Sequence, residues 1–119
     1  MARNLLFVYG TLLSGERHHL LLAEAEPGGP ACTAAAFDLV DCGGFPAIVP
    51  GGTTAIAGEV YAVDDLTLAA IDRLEDHPHF YRRTSLCLAD GRLVEAYLLD
   101  RDRAAGLPRL PSGDWHDHR

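Results

Sequence analysis

The 119-residue sequence predicts a single α+β domain, and three stretches carry that prediction. Leu5-Leu6-Phe7-Val8-Tyr9 is an unbroken apolar and aromatic run ending at Gly10, the pattern of a central strand buried on both faces. Leu66, Ala70 and Leu74, with Ile71 beside them, form the stripe of an amphipathic helix reaching to about Asp76. Between Tyr81 and Asp100, two β-rich runs flank Asp90-Gly91, a strong local hairpin signal.

Composition narrows the function classes. A chain of this length buries roughly two-thirds of its surface around one core, so a single domain spans residues 1–119, with an irregular tail from about residue 101. Acidic residues exceed basic ones, 17 to 10, giving a formal net charge of -7, and every basic residue other than histidine is an arginine. Nucleic acid and anionic membrane both demand a basic surface, so neither is an expected partner. No apolar run approaches the roughly 20 residues of a membrane span. Met1-Ala2-Arg3-Asn4 leads straight into the first strand, and a cytoplasmic protein, monomeric or weakly dimeric, is expected. Cys32, Cys42 and Cys87 contain no CxxC pair and are expected to be buried free thiols.

The remaining elements follow in order. The strand stops at Gly10, where glycine permits a sharp turn or a close approach, and Thr11 adds a hydroxyl. Successive N–H groups in the Tyr9-Gly10-Thr11-Leu12 turn can cradle a carboxylate or oxyanion; alternatively, Gly10 only permits a tight strand-to-helix connection. Residues 15–25 are helix formers and predict a helix, with Ser14 available as its cap, ending before the breaker cluster Pro27-Gly28-Gly29-Pro30. His18 and His19 near its start are expected at the surface or the rim of a site. Residues 32–40 read as a strand, with three alanines leaving helix open. A loop over Asp41 to Pro46 precedes a short strand, Ala47-Ile48-Val49, closed by Pro50-Gly51-Gly52. Residues 55–63 read as a strand with Ile56, Gly58, Val60 and Ala62 on one face. Gly58 in its middle predicts a close backbone approach. Asp64 or Asp65 caps the helix that follows, and Pro78 lies beyond its end. Trp115 is large enough to pin the tail to the body.

Three constellations are candidates for chemistry. His77 with His79 and His116 with His118 form two His-x-His pairs, but one flanks a proline and the other lies near the C-terminus, so no metal is expected. Cys42 beside Gly43-Gly44 lacks any nucleophile signature and is expected to be structural. The third set is the turn of backbone donors at Tyr9 to Leu12 facing Glu75 at the end of the second helix, followed by Pro78, Tyr81 and Arg82 or Arg83. At a helix C-terminus the macrodipole disfavours an anion, and Asp72 and Asp76 add negative charge. Together they would push the Glu75 pKa upward if the side chain is shielded from water, which makes a carboxylate a usable base.

Several motifs match a known family in order and spacing: Val8-Tyr9-Gly10-Thr11-Leu12, Gly44-Phe45-Pro46, Gly58-Glu59-Val60-Tyr61, Ile71-Asp72-Arg73-Leu74-Glu75 leading through Pro78 to Tyr81-Arg82-Arg83, and Ser112-Gly113-Asp114-Trp115. In these the chain resembles the γ-glutamylcyclotransferase superfamily, specifically its γ-glutamylamine cyclotransferase or AIG2-like branch. The resemblance implies a small mixed β-barrel with two helices. It also implies cofactor-independent cyclisation of a γ-glutamyl amine or amino acid, releasing 5-oxoproline and a free amine. It assigns substrate binding to Tyr9, Gly10, Thr11 and Leu12 and catalysis to Glu75. Tyr81 and Tyr97 are candidate pocket hydroxyls or core tyrosines. Phe45 stands where a tyrosine is common, and Asp76-His77 replaces the usual glycine after the glutamate; both bear on which leaving amine fits. The alternatives are a binding module without turnover, or removal of a γ-glutamyl protecting group from a biosynthetic intermediate.

Overall fold

A computed structural model describes residues 4–118. Residues 1–3 and 119, and the His118 side chain of the second His-x-His pair, lie outside that description. The elements are β1 (Asn4–Val8), β2 (Glu26–Cys32), β3 (Phe37–Asp41), β4 (Pro46–Pro50), β5 (Ala57–Val63), α1 (Asp65–Leu74), β6 (Arg82–Cys87), β7 (Leu93–Leu98) and α2 (Trp115–His118). They form an α+β fold around one mixed seven-stranded sheet in the order β2-β5-β1-β7-β4-β3, with β6 paired to β7. The end of β2 also meets the end of β6, where Thr33 bridges Leu88 and the Ala89 N–H donates to the Cys32 carbonyl at 2.8 Å. No helix of the described residues is long and apolar enough to cross a membrane.

The predicted central strand lies in the interior of the sheet, antiparallel to β5 and parallel to β7. Leu6, Phe7, Val8 and Tyr9 are all buried, while Leu5 keeps partial exposure. The close approach expected at Gly58 is real, because a Cβ there would overlap the Val8 carbonyl oxygen and the Phe7 ring. The Asp90-Gly91 hairpin joins β6 to β7, with Gly91 at φ 93° and the Asp90 carboxylate accepting from the Arg92 N–H at 3.0 Å. Asp64 caps α1 by accepting from the Thr67 N–H at 2.8 Å. The buried face of α1 differs from the expected stripe: Leu68 and Ile71 are covered, and Leu66 points to solvent.

Three expectations fail for tertiary reasons. Residues 15–25 form turns and a short 3-10 helix at His19–Leu22, not an α-helix. Imidazole bonds from His18 to the Thr11 hydroxyl at 3.1 Å and from His19 to the Leu12 carbonyl at 2.9 Å tie this segment back to the preceding turn. Those ties override helix propensity, a weak preference of at most about 0.7 kcal/mol per ordinary residue. The breaker cluster Pro27-Gly28-Gly29-Pro30 lies inside β2, which tolerates prolines because it is an outer strand and absorbs them in a register shift between Pro27 and Pro30. The strand expected over 32–40 is interrupted: β2 ends at Cys32, and β3 begins at Phe37 beside a different neighbour, β4. Two thiols also depart from expectation, since Cys32 and Cys87 are exposed and Cys42 is half-buried.

The tail is held closely. The Leu110 N–H donates to the Leu39 carbonyl at 2.7 Å, the Ala57 N–H donates to the Gly113 carbonyl at 2.8 Å, and Trp115 is buried as expected. Replacing Gly58 by alanine is expected to cost about 1–3 kcal/mol by forcing β5 away from β1. Chemical denaturation of G58A checks this, and a stability equal to wild type would refute the close-approach argument.

Candidate active site

The site forms where one edge of β7 is shared by two partners. β1 pairs with β7 through Leu6 and Glu95, and β4 pairs with it through Ile48 and Leu98. Tyr9, just beyond β1, fills the split: its hydroxyl donates to the Tyr97 carbonyl at 2.5 Å and accepts from the Ile48 N–H at 3.1 Å. Gly10 then passes so close to Pro46 that a Cβ would sit 2.8 Å from the Pro46 ring. The loop that Pro46 ends supplies the next contact, as the Tyr81 hydroxyl donates to the Pro46 carbonyl at 2.6 Å.

Beside this split lies a cavity of about 310 Å³. Tyr9, Gly10, Thr11, Leu12, Glu75 and Tyr81, the residues singled out from the sequence, all line it, and so does Tyr97. Arg82 and Arg83 do not: Arg82 pairs with Asp100, and Arg83 is bound to Asp72 and Glu95. Sequence reasoning missed Arg17, Phe80 and the lining role of Asp76. Phe80 meets Phe45 edge to face at 6.1 Å and Tyr81 at 4.8 Å, forming an aromatic wall. Its adjacency to Tyr81 was the available signal. His18 takes its expected rim position.

Glu75 caps the C-terminal end of α1, its own N–H donating to the Ile71 carbonyl at 2.9 Å. Burial pushes its carboxyl up to about 7. The direction matches expectation, but the cause is desolvation and not the neighbouring aspartates, since the Asp72 carboxylate is held by Arg83 at 3.0 Å and by the Tyr97 hydroxyl at 2.6 Å. Burial also raises Tyr9 and Tyr81, with the Glu75 charge contributing to both, so these phenols stay neutral. Across the cavity, the Gly10 turn closes with the Leu13 N–H donating to the Gly10 carbonyl at 3.0 Å. Among the described residues, no protein acceptor takes the N–H groups of Gly10, Thr11 and Leu12. The cavity therefore sets a carboxyl group poised near neutral pH against backbone donors.

The histidine and cysteine candidates do not join this site. The described residues contain no group of three or more His, Cys, Asp or Glu side chains able to hold a metal ion. His77 accepts from the Arg83 N–H at 3.0 Å. Burial, with the Asp41 charge, pushes the Cys42 thiol up to about 11, away from a reactive thiolate.

The family pattern described as γ-glutamyl cyclotransferase, AIG2-like, matches residues 6–117. The chain belongs to that family. Among its relatives is a Vibrio cholerae protein, provisionally named a γ-glutamylcyclotransferase, 38% identical over 113 residues that cover 95% of this chain and 96% of the relative. The γ-glutamylaminecyclotransferase of Homo sapiens is 35% identical over 117 residues, covering 91% of this chain and 71% of that protein. The crystal structure of an AIG2-like protein from Mus musculus, 30% identical, covers 96% of this chain and 90% of that one with a TM-score of 0.84.

In this AIG2-like chain the residue after Glu75 carries an uncommon backbone conformation. Asp76 adopts φ 54°, the left-handed conformation that glycine takes most readily and aspartate tolerates better than most. Asp76 thus makes the turn that ends α1 while adding a carboxylate at the rim of the cavity.

The raised Glu75 carboxyl carries a stability signature. Between about 4.5, its ordinary value, and about 7, the folded state keeps a proton that the unfolded chain has released. Its contribution therefore falls as pH rises through that window. The stability of Glu75→Gln relative to wild type is expected to increase from pH 5 to pH 8. Urea titrations across that range check this, and a constant difference would contradict a buried, proton-holding Glu75.

Proposed function

We propose that this protein cyclises γ-glutamyl amines or γ-glutamyl amino acids, releasing 5-oxoproline and the free amine, with Glu75 as the proton carrier. The observation that carries this reading is a carboxyl group raised to about 7 inside the cavity that also holds the Tyr9-to-Leu12 turn. Membership of the AIG2-like family supports the γ-glutamyl substrate class.

The chemistry asks little beyond these groups. The α-amino nitrogen and the γ-carbonyl carbon belong to one molecule, so holding the chain folded supplies much of the rate enhancement. Glu75 takes a proton from the α-ammonium, freeing the nitrogen lone pair to attack the γ-carbonyl carbon. The tetrahedral oxyanion is met by N–H donors of the Gly10-to-Leu12 turn. As the carbon–nitrogen bond to the leaving amine breaks, protonated Glu75 delivers its proton to that nitrogen. The attacking nitrogen gives up its second proton to the departing amine through solvent as the lactam N–H forms, and the Glu75 carboxylate is ready for another cycle. A carboxyl near 7 both accepts and returns a proton at neutral pH. The Phe45 and Phe80 rings line the same cavity and offer an apolar surface to the leaving amine.

Incubation with a γ-glutamyl amino acid, γ-glutamyl-ε-lysine and a γ-glutamyl alkylamine, read by mass spectrometry, tests this. Wild type is expected to release 5-oxoproline from at least one of them, and Glu75→Gln to be slower by about a hundredfold or more. With decreasing pH, kcat/KM is expected to fall through about 7 as the base becomes protonated. Full activity of Glu75→Gln would remove the carboxylate from the mechanism.

A further inference from the structure

The phenol protons around the cavity are committed. Tyr9 donates to the Tyr97 carbonyl, Tyr81 to the Pro46 carbonyl, and Tyr97 to the Asp72 carboxylate at 2.6 Å. A phenol has one proton to donate, so what each oxygen has left for a ligand is lone pairs. Tyr9 spends further capacity on the Ile48 N–H. Tyr97 is the case where the direction is enforced most strongly. Its acceptor, Asp72, is gripped by Arg83 through both carboxylate oxygens, at 3.0 and 3.2 Å, and Arg83 is itself anchored by Glu95 at 2.7 Å. A charged, bidentate clamp of this kind fixes geometry as well as energy. The Glu75 charge acts on Tyr97, adding to the burial and the Asp72 bond that raise its phenol.

We infer that Tyr97 is a substrate-contacting residue whose oxygen accepts a hydrogen bond from the α-ammonium of the γ-glutamyl group, and that Asp72, clamped by Arg83, is the positioning residue that keeps the Tyr97 proton turned away. This rests on the γ-glutamyl reading of the site above. It orients the substrate: the ammonium lies against Tyr97 and Glu75, the acceptor side, and the anionic and carbonyl oxygens lie against the Gly10-to-Leu12 N–H groups. The Asp72-to-Glu75 spacing gains a reason, since one turn of α1 then carries both the proton carrier and the group that sets the polarity of its neighbour.

Binding of two unreactive ligands tests this apart from turnover. L-glutamate carries the α-ammonium, and glutarate is the same dicarboxylate without it. Calorimetric titration of wild type is expected to favour L-glutamate, and Tyr97→Phe is expected to cut that preference about tenfold, the worth of one hydrogen bond to a charged group. Glutarate affinity should stay the same. Asp72→Asn is expected to cut the preference comparably although Tyr97 is intact, because an amide can donate to the phenol and let its proton turn inward. A purely structural role would instead lower the melting temperature and weaken both ligands together. An unchanged preference in Tyr97→Phe overturns the inference whether or not Asp72→Asn folds. If wild type releases 5-oxoproline and that preference is unchanged, the inference fails and the reaction stands. If the preference falls as expected but no substrate yields 5-oxoproline, the ammonium site stands and catalysis fails. Wild type that neither cyclises a substrate nor prefers L-glutamate overturns both.

Discussion

The hydroxyl of Tyr9 is the contact on which the site depends. Where β1 and β4 share one edge of β7, backbone groups of β4 and β7 lie at the parting of two ladders, and a buried polar group without a partner costs about 1–3 kcal/mol. Tyr9 takes the Ile48 N–H and gives its proton to the Tyr97 carbonyl, so a side chain closes the gap in the sheet. Two consequences follow. The chain leaving β1 is fixed where Gly10 runs against Pro46, and the Pro46 carbonyl is thereby fixed for Tyr81. Tyr9 is also excluded as a proton carrier, since its proton is committed and its phenol is raised by burial. The tyrosine of the Tyr-Gly-Thr-Leu motif serves the sheet before it serves a ligand.

With the tyrosines neutral and their phenol protons donated to protein acceptors, Glu75 is the cavity group whose carboxyl lies near neutral pH. Burial alone accounts for its shift, so its proton affinity is a property of the cavity wall and does not require a nearby anion. Asp72 is kept from acting as such an anion by Arg83, which binds it bidentately. The two carboxylates lie one helical turn apart yet have different environments: one is paired with a guanidinium, the other faces aromatic rings. That contrast leaves one carboxylate with a fixed partner and the other raised by burial.

Some of this was legible in the sequence because it is encoded locally. An unbroken apolar run, an Asp-Gly turn and an aspartate cap each report on a few adjacent residues, and β1, the β6–β7 hairpin and the N-terminus of α1 appear where those signals put them. The stretches misread are those decided by distant partners. Residues 15–25 have the composition of a helix, but their fate is set by imidazole bonds to Thr11 and Leu12. Pro27 to Pro30 reads as a breaker, yet an outer strand with a register shift accepts it, and Gly28 leaves room for Val60. The same division runs through the site. Tyr9 to Leu12, Glu75 and Tyr81 belong to short motifs and were visible, whereas Arg17 and Phe80 reach the cavity only through the fold. The direction in which each hydroxyl proton points is a three-dimensional fact with no sequence signal.

The spacing between Glu75 and Tyr81 has its own physical explanation. A helix that simply continued would carry Tyr81 onward along its axis, away from the carboxylate. Asp76 in the left-handed conformation stops α1, and its carbonyl accepts from the N–H groups of both His79 and Phe80 at 2.8 Å, winding the following residues into a compact turn. The His77 N–H returns to the Asp72 carbonyl at 2.9 Å, and the His77 ring accepts from the Arg83 N–H, so the turn is tied at both ends. Phe80 and Tyr81 thereby face back over the cavity that Glu75 lines, one as wall and one as hydroxyl. A residue at position 76 must therefore tolerate positive φ before it can do anything else. Aspartate meets that requirement and brings a charge to the rim of the cavity, so at this position backbone geometry restricts the choice of side chain before the side chain can contribute anything to the cavity.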